Sequence, residues 1–325
     1  MCTGIAMKTR ELYFGRNMDL EYSFNEKIAV TPRNYPLTFK KAEVQNRHAA
    51  IIGMASVVNG YPLYADAANE YGLCIAGLNF PDNAYYSPEL LPDKINIAPY
   101  ELPLFILGQC ATVDEAVKLL ERSNIADIPF SDKIPCATLH WLISDKKRSV
   151  TLECVKSGMK IYENRVNVLA NNPTFDFHET NLGNYLNLNT ANTQNVFSEK
   201  AGAKSFGKGL GSVGLPGDPS SPSRFVKAAF MLLNSKCPDT EDESVMQFFH
   251  ILDSVSVVNG SIALDSGEDY YTRYSCCINA DRGVYYYKTY GCGRVCAVNM
   301  NNENLDSNTV ITFEKYGGNG IKYLN

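Results

Sequence analysis

The sequence predicts an α+β protein in which antiparallel sheets and helices pack as layers, and three observations carry that prediction. Short apolar segments bounded by charged or polar turns gather in the first, middle and last parts of the chain, the pattern of hairpin-linked strands. Two segments with helical spacing each follow a Thr-x-x-Glu capping box. Strands and helices come in groups rather than in strict alternation, which argues against a doubly wound parallel sheet.

Ile5-Ala6-Met7, Leu12-Tyr13-Phe14 and Ile28-Ala29-Val30 read as the opening strands. Ala50 to Met54 and Leu73 to Asn79 continue them, with Asn59-Gly60 between as a hairpin turn, because both residue types tolerate positive φ. Thr112 and Glu115 form the first capping box and open Ala116 to Leu120. Leu139 to Ile143, Val150 to Val155 and Val166 to Ala170 return to strand. A polar, glycine-rich stretch from Gly202 to Pro222 leads into a helix expected from Ser223 to Leu233. Thr240 and Glu243 form the second box, for a helix from Ser244 to Val255. Tyr270 to Asn279 and Val284 to Lys288 then read as strands joined by a turn at Asp281-Arg282-Gly283. With no repeat and no low-complexity linker, residues 1–325 read as a single domain.

Composition narrows the function. A chain that is 45% hydrophobic and 20% charged builds an ordinary globular core. A net charge of −5 and the lack of a long Lys/Arg run argue against nucleic acid as a partner. The longest apolar run, Ala49 to Val58, is about half the ~20 residues of a membrane span. The first fifteen residues carry Lys8, Arg10 and Glu11, unlike the apolar core of a secretory signal. No membrane association and a cytoplasmic location are therefore expected. The ten cysteines are irregularly spaced and read as buried free thiols. Cys276-Cys277 and the Cys292/Cys296 pair lack the second pair or nearby histidine of a metal site, so neither is expected to bind metal.

Cys2 is the most informative residue. A small residue in second position permits removal of Met1, and the chain would then open on a thiol and a free α-amine on adjacent carbons. A free amine titrates near ~7.7–8.0 and a free thiol near ~8.5, so one residue could supply nucleophile and general base. The plain alternative is a frayed second residue. Arg16-Asn17-Met18-Asp19 offers a cation to favour thiolate and a carboxylate to hold an amine, or a surface ion pair. Gly77-Leu78-Asn79-Phe80-Pro81 and Ala170-Asn171-Asn172-Pro173 each end an apolar strand in Asn, as an oxyanion donor or as a turn residue. Pro222-Ser223-Arg224 starts a helix and presents an arginine, which in most proteins faces solvent.

Taken together and in this order, these blocks resemble the choloylglycine hydrolase family of N-terminal nucleophile hydrolases. Met1-Cys2-Thr3-Gly4, Phe14 to Asp19 and Glu21 to Asn25 match its N-terminal signature. Tyr61 to Tyr64, Ala76 to Pro81, Asn171 to Phe175 and Ser223 to Phe225 match further blocks along the chain. The resemblance implies a four-layer αββα sandwich, a homotetramer, and catalysis by Cys2, Arg16, Asp19, Asn79, Asn171 and Arg224. In that reading Cys2 is nucleophile and base, Arg16 and Asp19 tune and orient it, Asn79 and Asn171 polarise the carbonyl, and Arg224 is the remaining cation. One departure is Ala170, where several family members carry threonine, and it bears on rate and substrate preference.

Two substrate classes compete within the family, conjugated bile salts and penicillin V. Asn79 stands where the bile-salt group tends to carry Asn and the penicillin group Tyr, so the resemblance implies cleavage of glycine- or taurine-conjugated bile salts, a reaction expected to need neither metal nor organic cofactor. A steroid needs a broad apolar surface, for which Met18, Leu20, Phe24, Val58, Ala65, Phe130, Ile134 and Leu139 are candidates, each equally open to ordinary loop packing. The alternatives are a penicillin V acylase-type amidase or, with Met1 retained, a non-catalytic ligand-binding protein of this fold. An internal Cys-His hydrolase would need one of His48, His140, His178 or His250, and none stands in a recognisable catalytic signature.

Overall fold

The computed structural model describes residues 1–192, 194–237, 240–318, 320–321 and 323–325. In chain order the strands and helices are β1 (Cys2–Lys8), β2 (Leu12–Leu20), β3 (Lys27–Thr31), β4 (Ile51–Val58), β5 (Tyr61–Asn69), β6 (Cys74–Asn79), β7 (Ile95–Ile97), α1 (Leu102–Gln109) and α2 (Val113–Glu121). There follow β8 (Ser123–Ile125), β9 (Leu139–Ser144), β10 (Ser149–Val155), β11 (Gly158–Glu163), β12 (Val168–Leu169) and α3 (Phe175–Asn181). The chain closes with α4 (Ser221–Asn234), α5 (Glu241–Asp253), β13 (Tyr271–Asn279), β14 (Val284–Thr289), β15 (Cys292–Asn299) and β16 (Ile311–Phe313).

Two large antiparallel sheets form the centre. One has the order β12-β1-β2-β13-β14-β15 and the other β11-β10-β9-β6-β5-β4-β3-β16, while β7 and β8 form a small parallel pair. Successive side chains of a strand point to opposite faces, and here both faces are covered. In β4, Ile52 and Met54 enter the core shared with the six-stranded sheet, whereas Ile51 and Ala55 enter a second core with α1 and α2. Phe225, Phe248 and Phe249 carry α4 and α5 onto the outer face of the six-stranded sheet. The result is the expected four-layer αββα sandwich. Burial on both faces is why these strands read as continuous apolar runs rather than alternating ones.

Differences from the sequence reading have local causes. Helix α1, Leu102–Gln109, has six buried residues and no polar face, so it lacked the periodicity that marks a helix. Helix α4 starts at Ser221, two residues before the expected Ser223, with Pro222 in its first turn where a missing N–H costs nothing. Helix α5 starts at Glu241 and not Ser244, and the Thr240 hydroxyl donates to Glu243 Oε2 at 2.5 Å instead of capping the backbone. The first box is half formed: Thr112 Oγ1 accepts from Glu115 N, while Glu115 Oε2 takes the Ala111 N–H. The strand expected over Val166 to Ala170 contracts to Val168–Leu169. All ten cysteines are free. Among the described residues, no helix is long and apolar enough to cross a membrane.

Candidate active site

Cys2 opens β1, is 2% exposed, and lies opposite Met18 of β2. Residues 16 and 18 share a face of β2, and a strand-paired residue faces the same side as its partner. The Cys2 side chain therefore lies on the inter-sheet face with Met18 and Arg16. Arg16 is fully buried and reaches across to the eight-stranded sheet, where its guanidinium donates to the Gly77 and Ala65 carbonyls. Those acceptors exist because the sheet is locally open. Residue 65 is the extra residue of a β-bulge between Met54/Asp66 and Ala55/Tyr64, and the β5–β6 pairing stops at Asp66 and Ala76, one residue short of Gly77. Bulges of this kind commonly re-aim groups beside sites. Burial alone would lower the Arg16 pKa; the acidic groups around it, Cys2 first and then Tyr274 and Asp66, more than offset that and raise it.

Asp19 sits on the opposite face of β2, toward the helices. Its Oδ1 accepts from Thr272 Oγ1 at 2.6 Å, and its Oδ2 is buried without a hydrogen-bond partner among the described residues, 3.9 Å from Arg224. A bulge at residue 273 brings Thr272 into line with it. Burial pushes the Asp19 carboxyl pKa up, against the pull of Arg224 and the terminal amine. Arg224, in the first turn of α4, is 2% exposed and has its donors committed: Nε to Pro219 O at 2.9 Å, Nη1 to Cys2 O at 2.5 Å and to Thr3 Oγ1, Nη2 to Asn171 Oδ1 at 2.8 Å. Burial lowers its pKa, with Asp19 and Cys2 opposing.

Asn171 joins these groups to the chain start. Its Oδ1 also accepts from Cys2 N at 2.6 Å, and its Nδ2 donates to the Asn79 carbonyl at 2.6 Å. The Asn79 side chain is half-buried, its Oδ1 accepting from Thr138 Oγ1 at 3.2 Å. Its amide nitrogen donates to no protein group among the described residues. Met1 runs alongside Asp19, its amine donating to Asp19 O at 2.9 Å and its carbonyl accepting from Asp19 N at 3.1 Å. Burial lowers the pKa of that amine, against the opposing influence of Cys2 and Asp19.

The structure thus brings together all six expected polar residues, Arg16 on one side of Cys2 and Asp19, Arg224, Asn171 and Asn79 on the other. The apolar candidates divide. Met18, Leu20, Phe24 and Ala65 share the core that contains Cys2. Leu139 stands opposite Asn79 across the β6–β9 pair. Phe130 packs on Tyr61 and Tyr100, at 5.7 and 5.2 Å between ring centroids, and Val58 is Tyr61's strand partner. Ile134 lies in a short turn bridged to Ser131.

Several supporting groups gave no sequence signal strong enough to single out. Asp66 is buried between the sheets and accepts from Tyr274 (2.7 Å), Tyr285 (2.6 Å) and the Cys276 thiol (3.4 Å). It is the only charged residue in β5, which is the signal that could have found it. His178 and His140 hold the carbonyls of Asn171 and Ala170.

Two packed antiparallel sheets between helical layers, with a buried cysteine heading the first strand, form the N-terminal nucleophile hydrolase fold. A family description, linear amide C–N hydrolases of the choloylglycine hydrolase family, matches residues 2–313. The chain belongs to that family, and so to the enzymes that hydrolyse linear amide C–N bonds. The Bile salt hydrolase/transferase of Lactiplantibacillus plantarum is 49% identical over 313 residues, 96% of each chain. The Bile salt hydrolase/transferase of Clostridium perfringens is 39% identical over 330 aligned positions that cover 100% of both chains. A crystal structure of a variant of the conjugated bile acid hydrolase from Clostridium perfringens matches with a TM-score of 0.91 and 38% identity, again over 100% of both chains.

Proposed function

We propose that this enzyme hydrolyses the amide bond of glycine- or taurine-conjugated bile salts, with Cys2 as an N-terminal nucleophile after loss of Met1. The observation that carries the mechanism is the setting of Cys2 N. Asn171 Oδ1 accepts from it at 2.6 Å, beside a buried carboxylate, Asp19, one oxygen of which has no hydrogen-bond partner among the described residues. A backbone nitrogen so surrounded becomes a held, oriented amine once the preceding residue is cleaved. The substrate class follows from the named relatives at 49% and 39% identity over nearly the whole chain.

In this reading the amine takes the thiol proton as sulfur bonds to the amide carbon. Negative charge moves to the carbonyl oxygen, where the uncommitted side-chain amide of Asn79 is available to donate. The C–N bond then breaks, its electron pair going to nitrogen, which takes the proton from the ammonium of Cys2. Water, deprotonated by the same amine, attacks the thioester and releases the free acid and the thiol. Arg16 supplies a buried cation on the thiol side of the cysteine, while Asp19 and Asn171 hold the amine on the other. Asn171 is read here chiefly as that holder, because its Nδ2 is spent on the Asn79 carbonyl. The apolar core residues next to Cys2, Met18 and Ala65 among them, are read as part of the surface that meets the steroid.

The test is kcat/KM for glycocholate, taurocholate and penicillin V on one preparation. Both bile salts should exceed penicillin V by at least the ~10–200-fold that one or two contacts can supply. A lead for penicillin V would overturn the substrate class and leave amide hydrolysis standing. A single-domain homotetramer in the cytoplasm belongs to the same proposal, and sedimentation of the purified protein checks the assembly.

A further inference from the structure

Asn171 can hold Cys2 N only if its own peptide is fixed, and two helices fix it. Its N–H donates to Ser221 Oγ of α4 at 2.8 Å, and its carbonyl accepts from Nε2 of His178, on α3, at 2.8 Å. A carbonyl only accepts, so the imidazole proton is on Nε2. The ring is fully buried and stacks on Phe225 at 4.6 Å between centroids and 21° between planes. Phe225 directly follows Arg224, so one imidazole touches both Asn171 and the neighbour of the arginine that donates to Asn171 Oδ1. Nδ1 of His178 is buried and has no hydrogen-bond partner among the described residues.

The neighbouring histidine is wired differently. His140 Nε2 takes the Ala170 carbonyl at 2.9 Å, and its Nδ1 meets Glu153 Oε1 at 3.0 Å. Two consecutive carbonyls therefore end on two buried imidazoles, and among the described residues only His140 has a carboxylate behind it. Burial lowers the His178 pKa to about 4, with His140 and Arg224 adding to the depression against the Asn171 and Pro173 carbonyls. A neutral donor suits a site already crowded by Arg224 and a terminal amine, since a further cation there would be repelled.

We infer that His178 is a positioning residue for the reaction: as a neutral imidazole it fixes the Asn171 peptide, and through it the direction in which Asn171 Oδ1 holds the Cys2 amine. Without that bond the Asn171 carbonyl is buried and unpaired, and small misplacements of reacting groups cost up to ~100-fold in rate. The inference rests on the proposed roles of Cys2 and Asn171.

The experiment compares His178→Phe, which keeps an aromatic ring against Phe225 but has no donor, with His178→Gln, whose amide nitrogen can reach the same carbonyl. For glycocholate, H178F should lose about 10–100-fold in kcat with KM changed less than ~3-fold, and H178Q should recover most of that loss. A folded H178F with wild-type kcat, or an H178Q as impaired as a folded H178F, overturns the inference. Should H178F not fold, Phe225→Leu removes the brace but no donor. It is expected to lower kcat ~3–10-fold with KM little changed, and an unchanged kcat overturns the inference. Asn171→Ala separates the two levels. If it is impaired while folded H178F is not, the His178 inference alone fails; if it is fully active, the proposed role of Asn171 fails with it.

Discussion

Arg16 and Asp19 stand three residues apart on one strand and leave it on opposite faces. Arg16 crosses to the Gly77 and Ala65 carbonyls between the sheets, and Asp19 faces Arg224 at 3.9 Å under the helices. An odd separation on a strand requires this. In the proposed mechanism this divides the work around Cys2, with thiol chemistry on the Arg16 side and the chain nitrogen toward Asn171, Arg224 and Asp19. One small motif thereby serves two ends of one residue.

Cys2→Ala should abolish turnover of glycocholate, because the remaining nine cysteines have no amine on the adjacent carbon. The fold should persist, since the change removes one sulfur at the chain start. Thermal melting within a few degrees of wild type, with no product above background, is the expected outcome. Substantial turnover would move the nucleophile elsewhere.

Arg16→Leu should slow alkylation of Cys2 by iodoacetamide at neutral pH by roughly 10-fold, because the buried cation on the face that its side chain shares is gone. It also leaves the buried Gly77 carbonyl without its donor, at a cost of roughly 1–3 kcal/mol in stability. Peptide mapping of labelled Cys2 against time measures the first effect, and denaturant melts the second. An unchanged labelling rate would reduce Arg16 to a brace between the sheets.

Asp19→Asn keeps volume and the Thr272 contact but removes the charge. It leaves Arg224 buried without an anionic partner, a change that costs up to about 3–5 kcal/mol, and it frees the Cys2 amine to turn. A kcat at least ~100-fold lower is expected, along with a reduced Tm. Wild-type kcat at permissive temperature would make Asp19 a structural counter-ion only.

His178 also sets an acid limit on stability. Burial holds it near 4 when folded, against about 6.5 in the unfolded chain. Between those values the unfolded state binds the proton and the native state does not, so stability falls as pH drops through that window. The full difference is on the order of 3 kcal/mol. His178→Gln removes this term, so the gap in Tm between variant and wild type should shift in favour of the variant from pH 7 to pH 4. His140, Glu153 and Arg224 are common to both proteins and cancel in that comparison. A parallel pair of Tm curves would contradict it.

The layered fold was legible in local pattern, whereas the polar centre was legible through the family resemblance of several short blocks, none of which is specific alone. Apolar runs between turns marked the central strands, and Cys2, Arg16 and Asp19 lie in one continuous block at the chain start. Asn171 and Arg224 stand in short motifs at a strand end and a helix start that by themselves read equally as a turn and a solvent-facing arginine, and the resemblance assigned them to the site. What the sequence did not show depends on contacts between distant segments. Asp66 meets Tyr274 and Tyr285 more than 200 residues away, and nothing in β5 alone says what its carboxylate faces. His178 looks like an ordinary helix residue until the fold sets it under the Asn171 carbonyl. Helix α1 was silent because burial on all sides erased its periodicity.

The most direct measurement of the central proposal is the intact mass of active enzyme, taken before and after acid quench of a reaction with glycocholate. A catalytic amine at Cys2 requires a chain lighter by one methionine, and the quenched sample should carry a cholyl adduct on the peptide that begins with Cys2. Fully active protein that retains Met1, with its α-nitrogen still in a peptide bond, would contradict catalysis by an N-terminal cysteine.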